Sequence, residues 1–126
     1  MNPATHRAKA QRIERSIAAL DPTQFEAVIE GTMLAGTHWF NLVLHRAAIL
    51  PDRNDAMHAE FLPLGTRRRV RVLLGEVLAA MDRIEALRTT HVRGDMPDGT
   101  GAAREALHAL AVLRQHALRE DRNGLA

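Results

Sequence analysis

The sequence predicts an all-α fold, an up-and-down bundle of four to five helices that forms a single domain over residues 1–126. Apolar residues recur at three- and four-residue spacing along most of the chain, as on the buried face of a helix. Residues typical of helix ends separate these segments, and no segment alternates apolar and polar residues as a strand would. A length of 126 residues is also usual for one domain with one core.

The starts of the first two helices are marked by their capping residues. Asn2 followed by Pro3 is typical of an N-cap with proline in the first turn, and it predicts a helix to about residue 19. Asp21 and Gln24 have the spacing of a capping box. They predict a second helix over about residues 22–49, which Pro51 prevents from continuing.

The second helix has two apolar faces. Its broad core face consists of Phe25, Val28, Ile29, Thr32, Gly36, Trp39, Phe40, Val43, Ala47 and Leu50. A second stripe beside it consists of Leu34, His38, Leu42, His45 and Ile49, which leaves a polar strip around Glu26, Glu30, Thr37 and Asn41. A helix that is apolar on two sides needs neighbours on both sides. In a small domain a second copy of the chain supplies one most simply, so we expect a homodimer packed along this stripe.

The rest of the chain predicts three further helical segments. Residues 52–61 are expected to form a short helix, which Leu62-Pro63-Leu64-Gly65 ends, and Thr66 then caps a long helix to about residue 90. The core positions of the long helix are Val70, Leu73, Leu74, Val77, Leu78, Met81, Ile84 and Leu87. Residues 92–101 predict a mobile loop, residues 102–119 a last helix with Leu107, Leu110, Leu113, Ala117 and Leu118 inward, and residues 120–126 a frayed tail.

Composition narrows the classes of function. The chain has no cysteine, which excludes disulfides, thiolate metal sites and thiol nucleophiles and favours a cytoplasmic location. No apolar run is long enough for a signal peptide or a membrane span, so a soluble protein without membrane partners is expected. Sixteen arginines and one lysine give a net charge of only +2, which is weak support for nucleic-acid binding. No phosphate-binding loop is present, and no cofactor is expected.

The most specific motif is Arg53-Asn54-Asp55-Ala56-Met57-His58, in which an arginine followed by an asparagine precedes a histidine by five positions. This motif resembles the R-N-x-x-x-H signature of the HEPN superfamily, helical bundles that include ribonuclease toxins of toxin–antitoxin pairs. The resemblance implies a metal-independent endoribonuclease whose site is completed by a second chain or domain, and an antitoxin-like partner protein. It implies that Arg53 binds the scissile phosphate, His58 transfers a proton and Asn54 orients one of the two.

The alternative to a catalytic motif is a pairing that arises by chance. With sixteen arginines and seven histidines, some pair at this spacing is expected in 126 residues. Arg53 would then be a solvated residue after a turn and His58 a half-buried one. The competing function is a non-enzymatic, homo-oligomeric interaction module.

Arg67, Arg68, Arg69 and Arg71 open the predicted long helix. Cations at a helix N-terminus are mildly unfavourable, so an anion would stabilise this segment. RNA phosphate, an acidic patch on a partner protein and Glu60 of the same chain are candidates. A solvated arginine run balanced by nearby acids is the other interpretation.

A third hypothesis is a metal-binding bundle. His38 and His45 are seven residues apart and therefore lie on one helix face, and His58 could approach them. A carboxylate such as Glu30, Asp55 or Glu60 would complete the site. Since the spacing is loose, packing of His38 and His45 in the dimer interface remains the alternative, and no metal ligand is assigned from the sequence.

Overall fold

The all-α prediction is confirmed. The structure, a computed structural model, describes residues 1–122, with side chains described to residue 119. Within residues 1–122 it contains five α-helices and no strand. The helices are α1 (Pro3–Ala18), α2 (Phe25–Arg46), α3 (Leu64–Leu73), α4 (Gly75–Arg88) and α5 (Thr100–Arg122), with a 3₁₀ turn at Ala59–Phe61 and a π-helical turn at Thr89–Arg93.

The central helix of the bundle is α2, which packs against α1, α4 and α5. Trp39 and Phe40 of α2 are almost completely buried, together with Ile84 of α4 and Leu110 of α5. Burial of large apolar side chains is the main force that holds helices of this length together. The one core that these residues share is continuous along the bundle.

The start of α1 confirms its predicted cap. Asn2 Oδ1 accepts a hydrogen bond from the Thr5 amide at 2.8 Å, and Pro3 occupies the first turn. The buried face that follows includes Ala10 and Ile17, as predicted, and also His6, of which only 1% is exposed. A polar side chain is thus buried among apolar ones one turn after the helix begins.

The second helix is shorter than predicted at both ends. The Asp21 amide donates to Gln24 Oε1 at 3.0 Å, but this contact closes a separate turn, and α2 begins at Phe25. The helix ends at Arg46 because Ala48 takes a left-handed conformation with φ of 57°. The Ala48 amide then bonds to the His45 carbonyl at 3.1 Å and the Ile49 amide to the Leu44 carbonyl at 3.0 Å. This pattern is a Schellman motif, with alanine where glycine is usual.

The predicted short helix over residues 52–61 is wrong, apart from the 3₁₀ turn at Ala59–Phe61. Side chains of neighbouring helices bind the backbone groups that helical hydrogen bonds would otherwise use. Asn41 bonds to both the amide and the carbonyl of Ala56. Glu85 accepts from the amides of Ala59 and Glu60 at 2.6 and 3.2 Å. The segment is therefore held in a non-helical conformation.

The predicted helix over residues 66–90 is divided in two. Leu74 has φ of −140° and ψ of 46°, so α3 ends at Leu73 and α4 begins at Gly75. Leu73 was predicted in the core, but the break turns it outward and leaves it 61% exposed, while Leu74 is buried. Gly75 favours such a break because glycine has a low helix propensity.

The C-terminal part differs from the prediction mainly in its boundaries. The π-helical turn extends to Arg93 and α5 begins at Thr100, so the predicted loop over residues 92–101 is shorter at both ends. α5 continues to Arg122, so the first three residues of the predicted frayed tail are helical. Residues 123–126 lie outside the part of the chain that the structure describes.

Candidate functional site

Two histidines and one aspartate converge between α1, the end of α2 and the segment that follows it. Asp55 Oδ1 lies 2.9 Å from His6 Nε2 and 2.8 Å from His45 Nε2. One ligand atom from each residue lies within 4.8 Å of the others, a spacing that one metal ion could bridge. We refer to His6, His45 and Asp55 as the His-His-Asp cluster.

The Schellman motif at the end of α2 positions His45. By reversing the chain at Ala48, it brings the Leu50 carbonyl oxygen within 3.0 Å of His45 Nδ1. A carbonyl oxygen can only accept a hydrogen bond, so Nδ1 carries the proton and donates it. The Nε2 atom of His45 is thereby directed at Asp55.

Asn41 positions the aspartate. Its Nδ2 donates to the Ala56 carbonyl at 2.8 Å, and its Oδ1 accepts from the Ala56 amide at 2.6 Å. The sequence placed Asn41 on a polar strip, but the side chain is completely buried. The side chain can be buried because its amide group is hydrogen-bonded to the backbone amide and carbonyl of Ala56. Asn41 therefore fixes the backbone directly after Asp55.

His38 extends the cluster toward solvent. Its Nδ1 lies 2.9 Å from His6 Nδ1, so one of these nitrogens donates to the other. The centres of the His38 and His45 rings lie 5.2 and 5.3 Å from the centre of the His6 ring. His6 is thus contacted on one side by Asp55 and on the other by His38.

The electrostatics of the site favour a charged Asp55 and neutral rings of His6 and His38. Burial alone would raise the pKa of Asp55, but hydrogen bonds from His45 and His6 outweigh it and bring the pKa to about 2. Burial lowers the pKa of His6 despite the hydrogen bond to Asp55, and burial together with the charge on His6 lowers the pKa of His38. The amino group of Met1 lies 3.4 Å from Asp55 Oδ1.

A groove of about 270 Å³ adjoins the cluster. His6, His38 and Asp55 line one part of it, and the ion pair between Arg88 and Glu30 lines another. Its apolar lining consists of Met33, Leu34 and Met57. Such a mixture of an apolar wall and a few converging polar groups is typical of small-molecule sites, at the small end of their size range.

Of the predicted HEPN-like motif, Asn54 and His58 line one surface pocket, and Arg53 lies outside its lining. Arg53 and Asn54 are both exposed. Arg53 lies in a turn, and Asn54 lies in the irregular segment that follows the turn. His58 is half-buried, with its Nδ1 3.7 Å from Glu85 Oε1 and its ring 5.5 Å from the ring of Phe61. Since no helix begins at Arg53, helix N-terminal amides do not assist phosphate binding there. The ribonuclease function stays a prediction.

The four arginines predicted as an anion site divide into two groups. Arg67 donates to both carboxylate oxygens of Asp82, at 2.9 and 2.6 Å, and to the Ala59 carbonyl at 3.1 Å. An intramolecular carboxylate therefore takes the role that an external anion would have. Arg68, Arg69 and Arg71 are exposed.

The chain itself supplies most neighbours for the stripe predicted as a dimer interface. Leu42, His45 and Ile49 are buried, His38 is half-buried, and Leu34 is 53% exposed. The irregular segment after α2 and helix α1 cover what a second copy was expected to cover. The homodimer stays a prediction, and the two-sided character of α2 no longer requires it.

The sequence suggested a metal site of His38, His45 and His58. Of these three histidines only His45 belongs to the His-His-Asp cluster. His45 takes part, and Asp55 was among the carboxylates considered, but His58 lies against Glu85 and His38 contacts His6 instead. His6 was not predicted. It precedes Ala10, Ile13 and Ile17 at helical spacing, so a histidine that continues an apolar stripe was the signal available in the sequence.

Among residues 1–122, no helix combines the length and the apolar character that a membrane crossing requires. Neither a protein-family model, nor a curated protein, nor a solved structure matches this chain.

Proposed function

We propose that the chain is a metal-binding helical bundle in which the His-His-Asp cluster holds one divalent transition-metal ion. The observation that carries the proposal is the orientation of His45. Its Nδ1 donates to the Leu50 carbonyl, so in the neutral ring a lone pair of Nε2 points at a carboxylate oxygen 2.8 Å away. Two lone pairs at this distance repel each other unless a cation lies between them.

A metal ion or a proton could be that cation. A histidine ligand usually donates its second ring N–H to a carbonyl or carboxylate, which fixes the ring for metal binding. The contact of His45 with Leu50 has this form. If His45 were instead protonated on both nitrogens, the cluster would be an ion pair with a structural role. The metal and the proton therefore define two alternatives that metal titration separates.

The distances within the cluster favour a six-coordinate ion. Ligand atoms about 2.1 Å from an ion are about 3.0 Å apart at an angle of 90° and about 3.4 Å apart at the tetrahedral angle. The two nitrogen–oxygen distances are 2.9 and 2.8 Å, close to the first value. Two histidines and one carboxylate with open positions are typical of Fe²⁺ sites, and Co²⁺ and Ni²⁺ accept similar ligands.

The protonation states also suit a metal. Metal ligands must be deprotonated. Hydrogen bonds hold the pKa of Asp55 near 2, so this side chain is a carboxylate at neutral pH. Burial lowers the pKa of His6 and thereby favours the neutral ring that binds metal. An ion would therefore take a carboxylate and a neutral His6 ring without a net loss of a proton from either. It would replace the hydrogen bonds that Asp55 accepts from the Nε2 atoms of His6 and His45.

Calorimetric titration of metal-free protein with Co²⁺, Ni²⁺ and Zn²⁺ tests the proposal. We expect one ion per chain, and we expect His6→Ala and Asp55→Asn each to weaken binding at least about 100-fold, since even outer-shell changes cost about 10- to 100-fold. His108→Ala and Asp52→Asn are matched controls, because both side chains are exposed and lie outside the cluster. Equal weak binding by wild type and Asp55→Asn would refute a metal site here.

The ribonuclease function implied by the HEPN resemblance is a separate hypothesis with its own test. It predicts RNA cleavage in EDTA that His58→Ala and Arg53→Ala abolish. Cleavage that requires added metal and is lost in Asp55→Asn would instead assign the activity to the His-His-Asp cluster.

A further inference from the structure

The groove beside the cluster follows one face of α2. The α2 residues that line it have the spacing of one helix face and are Glu30, Met33, Leu34, Thr37, His38 and Asn41. Eleven residue steps at about 1.5 Å each spread these lining residues over about 16 Å of the α2 axis. A volume of about 270 Å³ along a lining of this span suits an unbranched molecule better than a compact one.

The two ends of the groove differ in charge. At one end, Arg88 is neutralised by Glu30, whose carboxylate oxygens lie 2.9 and 3.1 Å from its Nε. At the other end, a divalent ion with Asp55 as its one charged ligand carries a net charge of about +1, and the amino group of Met1, 3.4 Å from Asp55 Oδ1, adds a further positive charge. An anionic head group, such as a carboxylate, is therefore favoured at this end of the groove.

Metal binding would also set a hydrogen-bond donor in the groove. If His6 Nε2 binds an ion, its proton is on Nδ1, which donates to His38 Nδ1 at 2.9 Å. The proton of neutral His38 is then on Nε2. Because His38 lines the groove, this N–H is available to an anionic oxygen bound at the metal.

The middle of the groove is apolar. Met33 is buried in the wall, whereas Leu34 and Met57 are 53% and 70% exposed and flank the opening. An apolar chain bound between Leu34 and Met57 would cover both side chains, which would explain why they are exposed in the unbound protein. A head group at the metal and an aliphatic chain along α2 would match the charge and the lining of the groove.

We infer that this groove binds an unbranched aliphatic monocarboxylate of about six to ten carbons, whose carboxylate completes the coordination of the ion held by His6, His45 and Asp55. The inference rests on the proposed metal site. One carboxylate oxygen binds the ion, the other accepts from His38 Nε2, and the chain runs toward Glu30 and Arg88 between Leu34 and Met57.

Titration of the Co²⁺-loaded protein with acetate, butyrate, hexanoate and octanoate tests the inference. The visible absorption of Co²⁺ reports coordination of the carboxylate, and calorimetry gives the affinity. We expect each added methylene to tighten binding about two- to fourfold, because each is partly or wholly buried. Leu34→Ser should reduce this dependence on chain length, while Leu64→Ser, an equally simple change at an exposed leucine of α3, should leave it unchanged.

His38→Ala examines the head group separately. At saturating Co²⁺ it should weaken all four carboxylates by a similar factor, since each would lose the same hydrogen bond. If Co²⁺ binds but affinity does not depend on chain length, or the absorption spectrum does not change, the inference is wrong and the metal site stands. If Co²⁺ does not bind to the wild type, both the proposed function and this inference fail.

Discussion

Replacement of Asn41 by alanine should both destabilise the bundle and weaken metal binding at the proposed site. Asn41 is completely buried, and its side chain is bonded to the amide and the carbonyl of Ala56, at 2.6 and 2.8 Å. Asn41→Ala leaves both backbone groups without these partners. A buried polar group that loses its partner costs about 1–3 kcal/mol, so two such groups give a loss of about 2–6 kcal/mol.

A loss of this size is measurable because small domains are stabilised by only about 5–15 kcal/mol. Urea unfolding followed by circular dichroism measures the free energy of unfolding. Metal titration of the variant at low temperature measures its metal affinity, which falls if Asp55 is no longer held in place. Asn41→Asp should be intermediate in stability, because its carboxylate can still accept from the Ala56 amide but cannot donate to the Ala56 carbonyl.

Asn54→Ala is the matched control. Asn54 lies in the same irregular segment but is exposed, so the change should stay within about 0.5 kcal/mol of wild type. If Asn41→Ala were no more destabilising than Asn54→Ala, the segment would be held by other contacts, and the explanation given for the position of Asp55 would be wrong.

Three further changes test other parts of the fold by urea unfolding. Ala48→Gly should raise the free energy of unfolding by about 0.5–1 kcal/mol, because alanine is strained at φ of 57°; a decrease would contradict the Schellman assignment. Gly94→Ala should destabilise by about 1–3 kcal/mol, since its Cβ would lie 2.5 Å from the Thr90 carbonyl oxygen, whereas Gly65→Ala, with open space around it, should not destabilise. The stability advantage of wild type over Asp55→Asn should shrink by about 2 kcal/mol between pH 5 and pH 2, because the pKa of Asp55 is about 2 in the fold and near 3.8 when unfolded; a constant difference would exclude the hydrogen bonds as the cause.

The helices were predictable from the sequence because local chemistry determines them. The Asn2-Pro3 start and the apolar spacing of α4 concern residues within one or two turns of each other, and both are confirmed. The break at Leu74 was not predictable from periodicity, because α3 and α4 each keep helical spacing. Only the tertiary packing decides that Leu74 is buried and Leu73 is not.

The candidate site was harder to predict because long-range contacts form it. His6 and His45 are 39 positions apart, and Asp55 lies in a segment whose composition favoured a helix. That segment is irregular because Asn41 and Glu85, from two different helices, bind its amides. The sequence did identify His45 and Asp55 as possible ligands, but it could not show that His6, rather than His58, completes the group.

Anomalous X-ray diffraction from crystals grown with Co²⁺ would test the central claim most directly. We predict one anomalous peak per chain at about 2.1 Å from His6 Nε2, His45 Nε2 and a carboxylate oxygen of Asp55, with the Leu50 carbonyl still bonded to His45 Nδ1. The opposite result would be three side chains hydrogen-bonded to one another with no peak between them, in crystals grown at millimolar Co²⁺. That structure would contradict the metal site and identify the cluster as a structural ion pair.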